Sequence, residues 1–377
     1  MTTLHHLPAA RWTAGGGMHT AGEIAQQPDT WRQVPACLDR LAPGTRASLH
    51  ALLADPAALV LLTGAGTSAY AGELAADHLD ATWPAQVRAL ATTTLLTHPA
   101  AYLPAGRPVL LVSFARSGNS PESLAAVELV RAAVPGARFL NITCNAEGRL
   151  ARDGAASSDT MNLLLPPASC DQGFAMTSSF TTMLLAALAL LGPEPLPAAA
   201  QRIDALAALA GRWLDSQAAT WHALGQLPLQ RIVYLGAGPL EALAREAALK
   251  VLELSGGRIV ALANTPLGFR HGPKAVLDRS SLVVLFHSQD PHARRYDEDL
   301  LAELRRDGVA TDVVAVDGHA LGADKSVPDA WLATAYVILA QLLALHQSLR
   351  LGLTPDSPFP DGTVNRVVQG VTIHARA

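Results

Sequence analysis

The chain has 377 residues, half of them apolar and 16% charged, with a formal net charge of −4. This composition supports a large packed core, argues against a disordered chain, and gives no reason to expect a nucleic-acid partner. Cys37, Cys144 and Cys170 are too few and too widely spaced for a disulfide framework or a zinc ribbon, which fits a reducing cytoplasm.

Residues 1–44 are expected to form an N-terminal helical extension. Met1 to Trp12 places no apolar stretch behind basic residues, which argues against a signal peptide. Residues 1–50 hold no basic recognition helix. A first domain is expected over 45–195. In it Ala58 to Thr63 reads as a strand, Gly64-Ala65-Gly66-Thr67-Ser68 as a turn and Ala71 to Leu79 as a helix. Pro108 to Phe114 reads as a second strand. After it Ser120, at the N-cap, and Pro121, in the first turn, open a helix that runs to Ala133. Ala137 to Thr143 and Met161 to Leu165 read as strands, and a helix follows near Phe180 to Leu191. Its apolar run is too short to span a bilayer and stops at Gly192-Pro193-Glu194. Strands alternating with helices imply a parallel sheet covered on both faces.

The segment Gly192 to Pro197 and the helix after it read as a junction, and a second domain is expected over 215–353. Arg231 to Gly238 echoes Leu61 to Gly66, 172 positions earlier for the paired glycines, and Ser281 to Phe286 echoes Val109 to Ser113. The fold class is therefore α/β, as two copies of one parallel α/β domain. The copies differ where chemistry would sit: Gln289-Asp290-Pro291-His292 stands for Ser117-Gly118-Asn119-Ser120. An aspartate there would repel an anion, so only the first copy is expected to bind one. Ala330 to Leu345 is interrupted by Gln341 and reads as a buried helix, so no membrane partner is expected. Residues 354–377 carry Pro355, Pro358, Pro360 and Gly362 and read as an extended tail.

Three groups of residues carry chemistry. The loop Arg116-Ser117-Gly118-Asn119-Ser120 follows an apolar strand and precedes a helix. Small residues there aim backbone N–H groups and hydroxyls at one point, on the positive end of a helix dipole, which suits a phosphate. Gly64-x-Gly66-Thr67-Ser68 is neither a P-loop nor a full dinucleotide fingerprint, and such turns also serve merely to pack a helix on a strand. Thr177 and Ser178 add a third hydroxyl-bearing loop, for which helix capping is the alternative. Glu246, Lys250 and Glu253 share one helical stripe. A solvated face with ion pairs explains that spacing, whereas Leu249, Val251, Leu252 and Leu254 around Glu253 would partly desolvate it and suit it to a base. His271 sits in Phe269-Arg270-His271-Gly272-Pro273-Lys274, where Gly272 and Pro273 could hold an imidazole at a fixed angle. No His-x-x-x-His or acidic cluster offers a set of metal ligands.

At these residues the chain resembles the sugar isomerase (SIS) family, whose members carry tandem flavodoxin-like domains that bind phosphosugars. The resemblance implies a phosphosugar site at Gly66, Thr67, Ser68, Arg116, Ser117, Gly118, Asn119, Ser120, Thr177 and Ser178. The second copy resembles the isomerase half of glutamine-dependent glucosamine-6-phosphate synthase. The catalytic Glu of that enzyme matches Glu253, and its ring-opening His, which serves the neighbouring subunit, matches His271. A homodimer with shared active sites is implied. The synthase's C-terminal Lys matches Gln369, and no glutamine-hydrolysing domain is expected ahead of Met1-Thr2-Thr3. Leu267 to Lys274 and Gly362 to Ile373 resemble the AgaS branch, the galactosamine-6-phosphate deaminase/isomerases, also called tagatose-6-phosphate ketose/aldose isomerases.

The resemblance implies an amino-sugar phosphate deaminase/isomerase of the cytoplasm. It would convert galactosamine 6-phosphate to a ketose 6-phosphate and ammonia, with Glu253, His271 and Lys250 catalytic, Gln369 beside the substrate, the tail closing the active site, and no metal or cofactor. Simple isomerisation of a sugar phosphate such as tagatose 6-phosphate, and a non-catalytic phosphosugar-binding regulator, are the alternatives.

Overall fold

The computed structural model describes residues 3–374, so Met1, Thr2 and the last three residues of the expected tail lie outside it. In chain order, a hairpin (β1, Thr3–Leu4; β2, Leu7–Pro8) precedes a run of short helices that includes α1 (Met18–Ala25). There follow β3 (Leu59–Thr63), α2 (Thr67–Asp80), β4 (Gln86–Ala89), β5 (Val109–Ala115), α3 (Pro121–Ala133), β6 (Arg138–Thr143), β7 (Thr160–Leu164) and α4 (Ser178–Leu191). The second copy supplies β8 (Arg231–Gly236), α5 (Pro239–Leu254), β9 (Val260–Asn264), β10 (Ser281–Phe286), α6 (Pro291–Asp307), β11 (Asp312–Val316) and α7 (Asp329–Arg350).

The chain divides into two compact units. One comprises Asp29–Cys170, Ser178–Asp204 and the tail from Asp361; the other comprises the N-terminal residues to Pro28, Asp171–Thr177 and Ala205–Pro360. The helix Leu196–Ser216, part of the expected junction, carries the chain from the first to the second.

The first unit holds a parallel sheet in the order β4-β3-β5-β6-β7. Every residue of β3 and β5 is buried, as a strand covered on both faces requires. Leu59, Leu61, Val109 and Leu111 face one way and meet Leu124, Val127 and Val130 of α3. On the other face Gly72 of α2 lies against Leu62, where a Cβ would come within 3.2 Å of the Leu62 Cβ. The second unit holds a parallel sheet in the order β11-β10-β8-β9. Val233, Leu235, Val283 and Leu285 pack on Leu300, Leu301 and Leu304 of α6. Tyr234 and Phe286 stack on the opposite face, and Tyr336 of α7 stacks on Phe286. The helix α7 is long and apolar enough to cross a membrane, and it is the core helix of this unit, as Ala330 to Leu345 led us to expect.

Five strands have no counterpart in the sequence analysis: β1 and β2, a short hairpin that opens the stretch expected to be a helical extension, and β4, β9 and β11. The last three are edge strands of the parallel sheets, and each is partly exposed.

Candidate active site

In each sheet the chain runs outward in both directions from two adjacent strands, β3 and β5 in the first, β8 and β10 in the second. Open α/β sheets bind ligands beyond the C-terminal ends of the strands at this switch point. Both expected loops of the first unit lie there, since Thr63 of β3 is level with Ser113 of β5. After β3, Gly66 takes φ +55° and ψ −130°; after β8, Gly238 takes φ +54° and ψ −128°. A Cβ on Gly64 would lie 2.6 Å from the Ser68 backbone, and one on Gly236 would lie 2.3 Å from the Leu240 carbonyl. The paired glycines thus do the same packing work in both copies. What distinguishes the first is the side chains that follow, Thr67 and Ser68 against Pro239 and Leu240.

The 116–120 loop is braced from behind by residues 145–150. Asn145 Nδ2 donates to the Ser117 carbonyl (2.9 Å), Leu150 N to the Gly118 carbonyl (2.9 Å) and Arg149 N to Asn119 Oδ1 (3.0 Å). Gly118 adopts φ +65°. Among the described residues none accepts from the backbone N–H groups of Ser117, Gly118 or Ser120. Ser120 stands at the N-cap of α3 as expected, but its hydroxyl pairs with Ser123 Oγ (2.8 Å) and makes no capping bond. The loop is therefore braced by residues 145–150, and three of its backbone donors have no acceptor among the described residues.

Two of the expected binding residues have other work. The buried Arg116 donates from Nη2 to the Arg366 carbonyl of the tail (2.7 Å), which ties that tail to the 116–120 loop. Gln369, three residues further on, is exposed. Thr177 is fully buried and donates its hydroxyl to Asp171 (2.9 Å), while its backbone N–H also goes to that carboxylate (2.9 Å). Ser178 is the buried first residue of α4.

In the second unit the stripe on α5 is not a solvated face. Glu246 and Lys250 are fully buried and Glu253 is 23% exposed. Lys250 Nζ lies 2.5 Å from Glu253 Oε2 and 3.4 Å from Glu246 Oε1. The ion pairs that helical spacing allows do form, but inside the protein, where a cation between two carboxylates compensates their desolvation. His271 is exposed on the loop after β9. Its neighbours fix that loop. Arg270 pairs with Asp299 (3.1 Å) and Glu303 (2.7 Å), and Lys274 pairs with Asp307 (2.5 Å) and with Glu303, all on α6. Hydrogen bonds from Lys274 and Arg270 hold the Glu303 carboxyl below its usual range. Gly272 supplies φ +115°.

The second copy's counterpart of the serine loop is closed by its own carboxylates. β10 begins 172 positions after β5, but α6 begins only 170 after α3, so Asp290, not His292, occupies the place of Ser120. Asp290 accepts from His292 N (2.9 Å) and Ala293 N (2.8 Å). Ser288 N donates to Asp297 (2.9 Å), and Gln289 N donates to Asp329 (2.7 Å).

Sequence reasoning also missed Glu23 and Asp171. Glu23, on α1, is buried and accepts from the backbone N–H groups of Gln172 (2.5 Å) and Gly173 (3.2 Å). Burial first, and then the neighbouring Asp171, push its carboxyl up to about 7. No spacing rule joins residues so far apart; only the Asp171-to-Thr177 interval could have suggested a side-chain-closed turn.

The SIS domain family model matches residues 55–192 and 229–350. The D-galactosamine-6-phosphate deaminase AgaS of Escherichia coli is 43% identical, over 98% of each chain. Its namesake from a Shewanella species is 42% identical, over 98% of this chain and 95% of that one. A crystal structure of tagatose-6-phosphate ketose/aldose isomerase from E. coli covers 95% of this chain and 97% of its own, with TM-score 0.86 and 40% identity.

Proposed function

Because this chain belongs to the SIS domain family, we propose that it converts galactosamine 6-phosphate, or a close hexosamine 6-phosphate, into the ketose 6-phosphate and ammonia. The observation that carries this reading is identity of 42–43%, over nearly full length, to two proteins named for that reaction.

The chain's own residues fit the chemistry. The N–H groups and hydroxyls of Ser117, Gly118 and Ser120, with Thr67 and Ser68 on the adjacent loop, hold the phosphate at the N-terminal ends of α3 and α2. His271, supplied to the site of a partner subunit in a homodimer, moves the ring-oxygen proton during ring opening. Glu253 removes the proton from C2 of the open aldehyde and returns it to C1, passing through an enaminol. The resulting C2 imine adds water and loses ammonia, so one water enters for each ammonia released. The sugar's own carbonyl accepts the electron pair, so the proton transfers need no metal or organic cofactor. Lys250, paired with Glu253, aims its carboxylate, and the tail that Arg116 holds, with Gln369 on it, closes over the sugar. We place the enzyme in the cytoplasm.

The test is an ammonia assay with galactosamine 6-phosphate. Glu253→Gln is expected to lower kcat by about 10²–10⁴, the usual share of a general base, with substrate binding retained. Turnover that survives the substitution refutes the catalytic assignment. The name of the structural neighbour favours one second reading, isomerisation of tagatose 6-phosphate without ammonia release. A product analysis on the same samples separates the two.

A further inference from the structure

Helix α1 lies outside the residues that the family model matches, yet it is built into the segment that precedes Ser178. Its N-terminal end is capped from the far end of the chain: Asp356 accepts from His19 N (2.9 Å), Thr20 N (2.8 Å) and Thr20 Oγ1 (2.7 Å). One turn on, Glu23 reaches the 171–177 segment and takes the N–H groups of Gln172 and Gly173. The fit is close. A Cβ on Gly173 would lie 2.6 Å from Thr20 Oγ1 and 2.9 Å from Glu23 Oε2. Within the segment Asp171, fully buried, closes a ring onto Thr177 through both its N–H and its hydroxyl. Two carboxylates thus fix the segment at both ends, Glu23 near its start and Asp171 onto its last residue.

Taking the proposed function as the premise, we propose that Glu23 is a positioning residue that sets the 171–177 segment, and with it Thr177 and Ser178, in the conformation that binds the phosphosugar. The hydroxyl of Thr177 is already spent on Asp171, so this segment serves the substrate through the shape of its backbone and the placing of Ser178. That shape depends on donors at Gln172 and Gly173 meeting a buried acceptor. Removing the acceptor leaves two N–H groups unsatisfied at the base of the segment and frees it to rearrange.

The arrangement predicts a division between variants. Glu23→Gln keeps a carbonyl acceptor of the same length and is expected to hold KM for galactosamine 6-phosphate within about threefold of the parent, since neutral acceptors still bond amides. Glu23→Ala is expected to raise KM at least about tenfold, the equivalent of one lost hydrogen bond to a charged acceptor, with kcat changed less than about threefold. Gly173→Ala forces the segment off Glu23 without altering the acid and is expected to share the KM phenotype. Hydrogen exchange at residues 171–177, measured on the full-length protein, should speed up in both Ala variants and not in Glu23→Gln.

Faster exchange with KM unchanged would overturn the inference, because Glu23 would then be structural only. Equal KM increases in the Gln and Ala variants would overturn it too, since the charge and not the acceptor would matter. If the parent neither releases ammonia nor binds a hexose or hexosamine 6-phosphate by calorimetry, the proposed function fails. The exchange data still decide whether Glu23 fixes the segment, and unaltered exchange in Glu23→Ala refutes that.

Discussion

The loop after β5 and the loop after β10 leave equivalent strands and run into helices opened by Pro121 and Pro291, but they treat the positive end of the helix in opposite ways. In the first, Ser120 occupies the N-cap without capping, and the backbone N–H groups of Ser117, Gly118 and Ser120 meet no acceptor among the described residues. In the second, Asp290, Asp297 and Asp329 take four backbone N–H groups of the loop and the following turn, and Asp329 also takes the Ser288 hydroxyl. The second copy thus carries its anions within its own chain. The helix dipole alone is worth about 0.3–1 kcal/mol to an anion, too little to decide between the copies. Hydrogen bonds to a charged acceptor contribute about 1.5–3 kcal/mol each, so several open donors outweigh the dipole. A duplicated domain can therefore lose its anion site by internal substitution while keeping the strand, the helix and the Gly-x-Gly turn.

The largest effect is expected from making the first loop like the second. Ser120→Asp puts a carboxylate where Asp290 stands. It should cap α3, preserve thermal stability and raise KM for a sugar phosphate by about 10² or more, since like charges at close range cost several kcal/mol. A KM within threefold of the parent would show that the phosphate does not sit at this helix end. The reverse change is expected to do less. Asp290→Ala removes a cap that accepts two N–H groups and should cost about 1 kcal/mol in urea unfolding, with KM unchanged. A changed KM there would mean that the second loop takes part in binding.

Much of this contrast was legible in the residues. Pro121–Ala133 and Ser281–Phe286 form as read, because an N-cap with proline and an unbroken apolar run are strong local signals. The strands that escaped notice lie at sheet edges, where only part of the strand is buried: β4 is four residues long, and β9 exposes Val260 and Leu262. The stripe of Glu246, Lys250 and Glu253 was identified as a unit, but whether it faced solvent or core depends on what packs over α5, and spacing along one helix does not carry that. The offset of 172 in the repeat sets His292 opposite Ser120, whereas the second loop is shorter by two residues between strand and helix, which brings Asp290 to that place. The resemblance alone assigns Arg116 to the phosphosugar site. Its bond to Arg366 spans 250 positions and is a tertiary fact.

The smallest expected effect tests whether the resident anions of the second loop are costly to keep. Burial raises the Asp297 carboxyl from 3.8 to about 6, helped by the charges of Asp329 and Glu298 and opposed by the Ser288 N–H and Arg294. A raised acid binds its proton more tightly in the folded protein than in the unfolded one. The stability it lends is therefore present below about pH 4 and is lost as pH rises through about 6. Asp297→Asn cannot lose a proton, so its Tm relative to the parent should climb across that window by a few degrees and then level off. Because Asp297 Oδ1 makes no hydrogen bond, the amide leaves the Ser288 N–H its acceptor and changes chiefly the charge. A difference in Tm that stays flat from pH 4 to pH 7 would mean that Asp297 is ionised throughout. The second loop would then hold its carboxylates as stably as the first is proposed to hold a phosphate.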